Sequence, residues 1–530
     1  MANQGAFRWH PRLIQAAAAL HENRLDVAER LLKPHLKEDP YDVRAMRMLA
    51  ELAARIGRLK DSETLLRRAL EIAPNFNPAR SNLAMVLGRL GRPAEALELL
   101  DQLFEVEPEG IANVNLKAAT LGRLGDFDEA IGLYEQVIRN APNQPRVWLS
   151  YGHILKTVGR QADGIAAYRK AAELNPSSGE AWWSLANLKT VRFTEDDIAE
   201  MQRVLANPEL KDGDRFQLDF ALGKAFHDAG RSDEAFAHYA AGNKLRRTYH
   251  PYRPSELTQF VDRSIELLTP ELLAQPGGCD APDPIFVVGL PRAGSTLVEQ
   301  ILSSHSQVEG THELADMPAV ARQGRRYPAD VVNLTADDRR IAGETYLERT
   351  SIQRRTDRPF FIDKLPNNWM FVPFIHLVLP NAKIVDARRH PLGCCFSNFR
   401  QHFARGQDFT YDLTDLGRYY SEYVRLMAHM DCVMPGRVHR IIYENMVGDT
   451  ETEVRKLLEY CGLEFEASCL AFHETERAVR TASSEQVRKP IYREATQEWQ
   501  RYEQFLGPLK GALGDVLDCY PDAPASFLQR

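Results

Sequence analysis

Residues 284–308 read Pro284-Ile285-Phe286-Val287-Val288-Gly289-Leu290-Pro291-Arg292-Ala293-Gly294-Ser295-Thr296, then LVEQILSSHSQV. A short apolar run closes on a glycine, a turn bearing Pro and Gly follows, and apolar residues then recur at helical spacing. That is the pattern of a strand, a loop and an amphipathic helix. Such a turn exposes backbone N–H groups at the N-terminus of the next helix, a ready site for a phosphate.

From Gly289 to Thr296 the spacing is that of a Walker A loop, with Ser295 where a nucleotide triphosphatase carries its lysine. The β/γ bridge of a triphosphate needs that lysine and a magnesium ion. A 5′-phosphosulfate needs neither, and Arg292 with the Ser295 and Thr296 hydroxyls can satisfy its phosphate. The rival phosphoryl-transfer reading requires an acidic magnesium ligand on a later strand, for which Asp386 is the candidate.

Downstream, four stretches follow in order: Thr311-His312-Glu313-Leu314, Phe361-Ile362-Asp363-Lys364-Leu365-Pro366, a strand-to-helix run from Ala382 to Arg400, and the pair Ile442–Val447 and Thr481–Ile491. With PRAGST they resemble the sulfotransferases, and tyrosylprotein sulfotransferases and their bacterial relatives most of all. The resemblance implies a three-layer α/β domain over residues 284–526, with a mostly parallel sheet and the ligand at the carboxyl ends of its strands. It implies as co-substrate 3′-phosphoadenosine 5′-phosphosulfate (PAPS), with no metal.

Carried over residue by residue, the resemblance makes Glu313 the base that takes the acceptor's proton, with His312 as its rival, and Lys364 and Ser483 the groups that steady the leaving phosphate. Arg292, Ala293, Gly294, Ser295 and Thr296 hold the 5′-phosphate. Arg389 and Ser397 hold the 3′-phosphate, with Arg388 as an added positive neighbour. Tyr443, Ser484, Gln486, Val487, Arg488 and Lys489 lie along the nucleotide. The chain departs from the family twice: Gln401 stands where the next arginine is expected, with Arg400 one residue early, and Glu498 precedes Trp499 where the family has a lysine. Lys489, Arg493 and Arg501 are the cations available to compensate.

N-terminal to this domain the text is periodic. Pro40, Pro74, Pro108, Pro142 and Pro176 are each 34 residues apart, and Gly57, Gly91, Gly125 and Gly159 keep the same step. Glycine lets a first helix stop and turn, and proline closes the second, so each unit is a helical hairpin. Small residues five after each glycine (Ser62, Ala96, Ala130, Gly164) admit close helix approach, and Leu66, Leu100, Tyr134 and Tyr168 fill the groove beside them. Asn23 and Ala28 take these places in the first unit. The series, with Trp148, Gly152, Gly159, Tyr168 and Pro176 as a good match, resembles the tetratricopeptide repeat. The phase drifts after Trp182 and returns at Gly223, Gly230, Ala235 and Tyr239, a last unit expected to cap the stack. The expectation is an α superhelical repeat array over residues 8–250, a Pro/Gly-bearing linker over 251–283, and the transferase domain thereafter.

Bulk properties set the outer bounds. A chain of 530 residues exceeds one ordinary core, and 44% hydrophobic with 26% charged residues is a globular composition. A net charge of −7 speaks against wholesale nucleic-acid binding, so an anion site must be local. Seven cysteines without a CxxC pair argue against a disulfide framework or zinc knuckle, and no apolar run is long enough to span a membrane; both point to a cytoplasmic protein. The expected function is PAPS-dependent sulfation of an acceptor hydroxyl, a protein or peptide tyrosine; the repeats either hold that acceptor or another partner on their concave face, or form a solenoid with no binding role. The alternatives are a polysaccharide or other surface glycoconjugate as acceptor, or a repeat scaffold beside an inactive transferase domain.

Overall fold

A computed structural model describes residues 9–528 apart from 109, 405, 476, 478–480, 482–485 and 492–495, and apart from the side chain of His312. The chain divides into two compact units, residues 1–175 and 176–530.

The first unit is a series of helical hairpins: Pro11–His21 with Leu25–Glu38, Val43–Arg55 with Leu59–Ile72, Asn77–Arg89 with Pro93–Val106, Ile111–Leu124 with Phe127–Asn140, and Pro145–Val158 with Gln161–Leu174. The punctuation expected from the sequence is present. Gly57, Gly91, Gly125 and Gly159 have φ between +78° and +96°, and Asn23, at +56°, does the same work in the first hairpin. Each second helix ends two residues before a proline of the series. Ser62, Ala96, Ala130, Leu66, Leu100, Tyr134 and Tyr168 are buried at the hairpin contacts. Gly152 is needed beside Tyr168, because a Cβ there would lie 2.6 Å from the ring.

The second unit opens with more helices: Gly179–Asn187, Glu195–Leu205, Asp212–Asp228 and Ser232–Tyr249. The last two repeat the hairpin grammar, with Gly223 against the ring of Tyr239 and Gly230 at φ +79°. They pack within this second unit. The stretch 251–283 contains the helix Pro254–Leu267, which buries Leu257 and Val261.

Among the described residues the remainder is built on five parallel strands: β1 Pro284–Gly289, β2 Val308–His312, β3 Phe360–Lys364, β4 Lys383–Arg388 and β5 His439–Ile442. Their order is β2-β3-β1-β4-β5. All six residues of β1 are buried, as a central parallel strand covered on both faces demands. Ile285, Val287, Ile362 and Val385 of the sheet pack with Val298, Ile301 and Leu302 of the helix Ser295–Ser303 and with Leu457 and Leu458 of Thr450–Cys461. The chain leaves β1 toward β3 and β2, then returns to lay down β4 and β5 on the other side. The crevice beyond β1 and β4 is therefore the switch point at which open α/β sheets bind ligands.

Candidate functional site

The switch point is occupied by the loop after β1. Gly289, at φ +133°, lies so close to β4 that a Cβ would sit 2.3 Å from the Ala387 carbonyl oxygen. Arg292 follows in the left-handed region at φ +66°, and Gly294, at +103°, is the N-cap of Ser295–Ser303. A Cβ on Gly294 would meet the Tyr443 ring at 2.7 Å. The Ser295 and Thr296 N–H groups lie ahead of the first bond of this helix, which Leu297 N–H donates to the Gly294 carbonyl at 2.9 Å, so the loop and helix end form an anion cradle.

Three elements bring side chains to that cradle. Asn398 of the helix Pro391–Phe399 ties it to the loop, its Nδ2 donating to the Pro291 carbonyl at 2.7 Å. Beside it in sequence, Ser397 Oγ accepts from Arg292 Nε at 3.1 Å. Arg389, just past β4, donates to the Arg292 carbonyl at 3.3 Å and lies 4.8 Å from the centre of the Tyr443 ring. From the C-terminal segment, Gln486 Oε1 accepts from Arg292 Nη2 at 3.0 Å. Burial, with the nearby charges of Arg389 and Arg400, pushes Arg292 down to about 10. A cation destabilised by two others is a place prepared for anionic charge.

These groups line a cavity of about 890 Å³ that contains Arg292, Gly294, Ser295, Thr296, Arg389, Ser397, Tyr443, Gln486, Val487 and Lys489. The backbone of Ala293 lies in the loop itself. Arg488 is not among the lining residues; its guanidinium donates to the Arg477 carbonyl at 3.2 Å. Ser483, Ser484 and Arg493 lie outside the described residues, as does the side chain of His312.

Arg388 takes a different direction from its neighbour. Side-chain alternation at the end of β4 sends it into the core, 2% exposed, beside Asp386 at 3.4 Å and Tyr423. Asp386, the magnesium-ligand candidate of the rival reading, is held by Tyr423, by Arg388 and by Arg440 at 2.9 Å.

Glu313 and Lys364 meet beyond β2 and β3, outside the lining of that cavity. Lys364 Nζ donates to Glu313 Oε1 at 2.6 Å and lies 3.8 Å from Glu299 Oε2. Lys364 is 1% exposed, whereas the Glu313 side chain is 47% exposed. Glu299, buried on the phosphate-loop helix, also pairs with Arg477 at 3.0 Å. Alternation along β3 turns Asp363 the other way, onto the hydroxyl of Tyr346, where burial raises its carboxyl well above the usual range.

Sequence reasoning missed one wall of the cavity. Asn187, Lys189, Arg192, Lys224, His227 and Asp228, all from the helices that open this unit, line it as well. The available signal was the broken phase after Trp182. The helix Gly179–Asn187 ends early and Lys189 turns at φ +63°, which directs the 187–192 segment to the cavity. Both departures from the family pattern are here too. Arg400 bonds the carboxylate of Glu498 and reaches His227 Nε2 at 3.2 Å, while Gln401 donates to Asn187 Oδ1 at 3.1 Å. Burial alone raises Glu498, but the charge and hydrogen bond of Arg400 overcome it and hold it near 2. His227 is pushed down to about 3 by burial and then by Arg400.

Residues 284–467 match the model of the sulfotransferase family. Residues 19–86, 81–145 and 115–178 match tetratricopeptide repeat models. A protein of Aquifex aeolicus described only as uncharacterised is 31% identical over 373 residues, 67% of this chain and 48% of that one. The chain thus spans about half the length of that relative. A protein of Caenorhabditis briggsae named "Putative protein-tyrosine sulfotransferase" is 22% identical over 41% of this chain and 80% of its own. Among solved structures, a thermophilic TPR protein of Thermus thermophilus is 22% identical, with a TM-score of 0.29 over 31% of this chain and 90% of that one.

Proposed function

From a chain that carries tetratricopeptide repeats and a sulfotransferase-family domain, we propose an enzyme that moves a sulfuryl group from PAPS to the phenol of a tyrosine in a protein or peptide, which the repeat array holds. The observation that carries this reading is the charge of the cavity. Among the described residues, eight Lys and Arg side chains and two carboxylates, Asp228 and Glu498, line it, in a chain whose net charge is −7. It abuts a phosphate loop with Ser295 in the lysine position, as suits a ligand with two separated phosphate-level groups and no β/γ bridge.

In this reading Arg292 and the loop N–H groups hold the 5′-phosphate, and Arg389 with Ser397 the 3′-phosphate. Glu313 takes the acceptor proton as the acceptor oxygen bonds to sulfur. The bond from sulfur to the 5′-phosphate oxygen breaks, its electron pair goes to that oxygen, and Lys364 and Ser483 oppose the charge that collects there. The 2.6 Å contact between Lys364 and Glu313 supports base and leaving-group cation belonging to one site, and the pair opens to admit the sulfuryl group between them. A phenol, near pKa 10, gives up its proton to a carboxylate more readily than a sugar alcohol does. Seven free cysteines support a reducing compartment, the cytoplasm; among the described residues no helix is long and apolar enough to cross a membrane.

The test is transfer of radioactive sulfur from labelled PAPS to tyrosine-bearing peptides and, in parallel, to polysaccharide acceptors, with Glu313→Gln as the inactive control. Label on tyrosine that the control lacks supports the reading. Label on sugar alone moves the acceptor to a glycan, and no label on either refutes the activity.

A further inference from the structure

The wall built by the repeat-like helices adds cations to the cavity that Arg292, Arg389 and Ser397 line. Three of the eight, Lys189, Arg192 and Lys224, come from that segment. They share this cavity with Arg292, Arg389 and Arg400, and the charge of Arg400 acts on Arg292 and on Lys224 alike. Lys224 sits on Asp212–Asp228 with its side chain 15% exposed. It shares Asp228 with Arg192, which lies 2.8 Å from that carboxylate and is 71% exposed, so two cations face one anion and the set retains a positive charge.

His227, three positions on, orders the neighbouring arginine. A guanidinium only donates, so His227 Nε2 accepts from Arg400 at 3.2 Å, and the ring proton lies on Nδ1 toward the Tyr502 hydroxyl, 2.7 Å away. Glu498, where the resembling family has a lysine, has turned that position acidic and bonds Arg400. The cation missing from the C-terminal segment has a counterpart on the opposite wall.

We propose that Lys224 is a ligand of the donor's 3′-phosphate, so that the helices of residues 179–249 form part of the nucleotide site. This rests on the PAPS reading above. It assigns a binding role to a segment that the repeat pattern describes only as scaffold. The 3′-phosphate lies between Arg389 and Ser397 on one side and Lys224 and Arg400 on the other, and Glu498 yields Arg400 to it.

The experiment titrates adenosine 3′,5′-bisphosphate and adenosine 5′-monophosphate into the full chain, as wild type, Lys224→Gln and Arg203→Gln. The expected result is a loss of about tenfold or more in bisphosphate affinity in Lys224→Gln, the scale of one charge-assisted hydrogen bond, with monophosphate affinity changed less than about twofold. Arg203→Gln, an exposed position of the same unit off the cavity lining, should leave both ligands unchanged. A second measurement needs no variant: in wild type the bisphosphate, and not the monophosphate, should shield Lys224 from amine acylation read by mass spectrometry. Equal losses for both ligands, no loss, or no differential shielding overturns the assignment of Lys224 while leaving the PAPS reading standing. Failure of wild type to prefer the bisphosphate removes both.

Discussion

Replacing Glu313 by glutamine separates the proposed chemistry from folding and from nucleotide binding. The side chain is 47% exposed, and it accepts from Lys364 at 2.6 Å. Glutamine keeps the shape and an amide oxygen for Lys364, which also retains Glu299 at 3.8 Å. Only the Glu313 end of the pair is exposed and Lys364 is buried, so exchanging the carboxylate for an amide weakens the contact to a buried ammonium and should cost about 1 to 3 kcal/mol of stability. Glu313 lies outside the cavity lining, so affinity for adenosine 3′,5′-bisphosphate should stay within about twofold. Loss of a general base costs about two to four decades in kcat, or about 3 to 5 kcal/mol of barrier. The assay is a steady-state rate of sulfur transfer at saturating PAPS, with calorimetric binding and thermal unfolding on the same preparations. A variant that keeps more than about a tenth of the wild-type rate refutes Glu313 as the base, and equal losses in rate, binding and stability would make it a structural residue.

Two further outcomes concern stability. His402, 8% exposed among Trp183, Phe216 and Phe220, is pushed down to about 3 by burial and by Arg246, and its Nδ1 is buried without a hydrogen-bond partner among the described residues. Its folded value lies below its unfolded one, so the unfolded chain takes up the proton first and stability falls as pH drops from about 6.5 toward 3, by roughly 1 kcal/mol per pH unit. His402→Phe should flatten the acid limb of a pH series of thermal unfolding without loss at pH 8; an unchanged limb counts against this. In the repeat unit, Gly152→Ala drives a Cβ to 2.6 Å from the Tyr168 ring and should cost about 1 to 3 kcal/mol in denaturant unfolding, whereas Gly132→Ala, with no atom within 4 Å, should not.

The repeats were legible because glycine and proline act locally: a positive φ and a missing N–H leave the same mark in every unit. The phosphate loop was legible for a related reason, since Gly289 and Gly294 answer to single close contacts with Ala387 and Tyr443. Direction along a strand was harder to read. Arg388 and Arg389 are equivalent as text, and only the packing of Asp386 and Tyr423 decides that the first is buried with them while the second faces the cavity. Lys224 and His227 were hidden for a deeper reason. They sit on a helix whose pattern already had a sufficient explanation as repeat packing, and their second task depends on residues far along the chain, such as Arg400 and Glu498.

The central claim is that this cavity takes an adenosine carrying separate 3′ and 5′ phosphate groups. Calorimetric titration of the full chain with adenosine 3′,5′-bisphosphate against ATP, for wild type and Arg389→Ala, tests it most directly. The account expects binding of the bisphosphate without added metal, much weaker binding of ATP, and a loss of about tenfold or more in bisphosphate affinity for the variant. ATP bound as well as or better than the bisphosphate, or no bisphosphate binding at all, would contradict it.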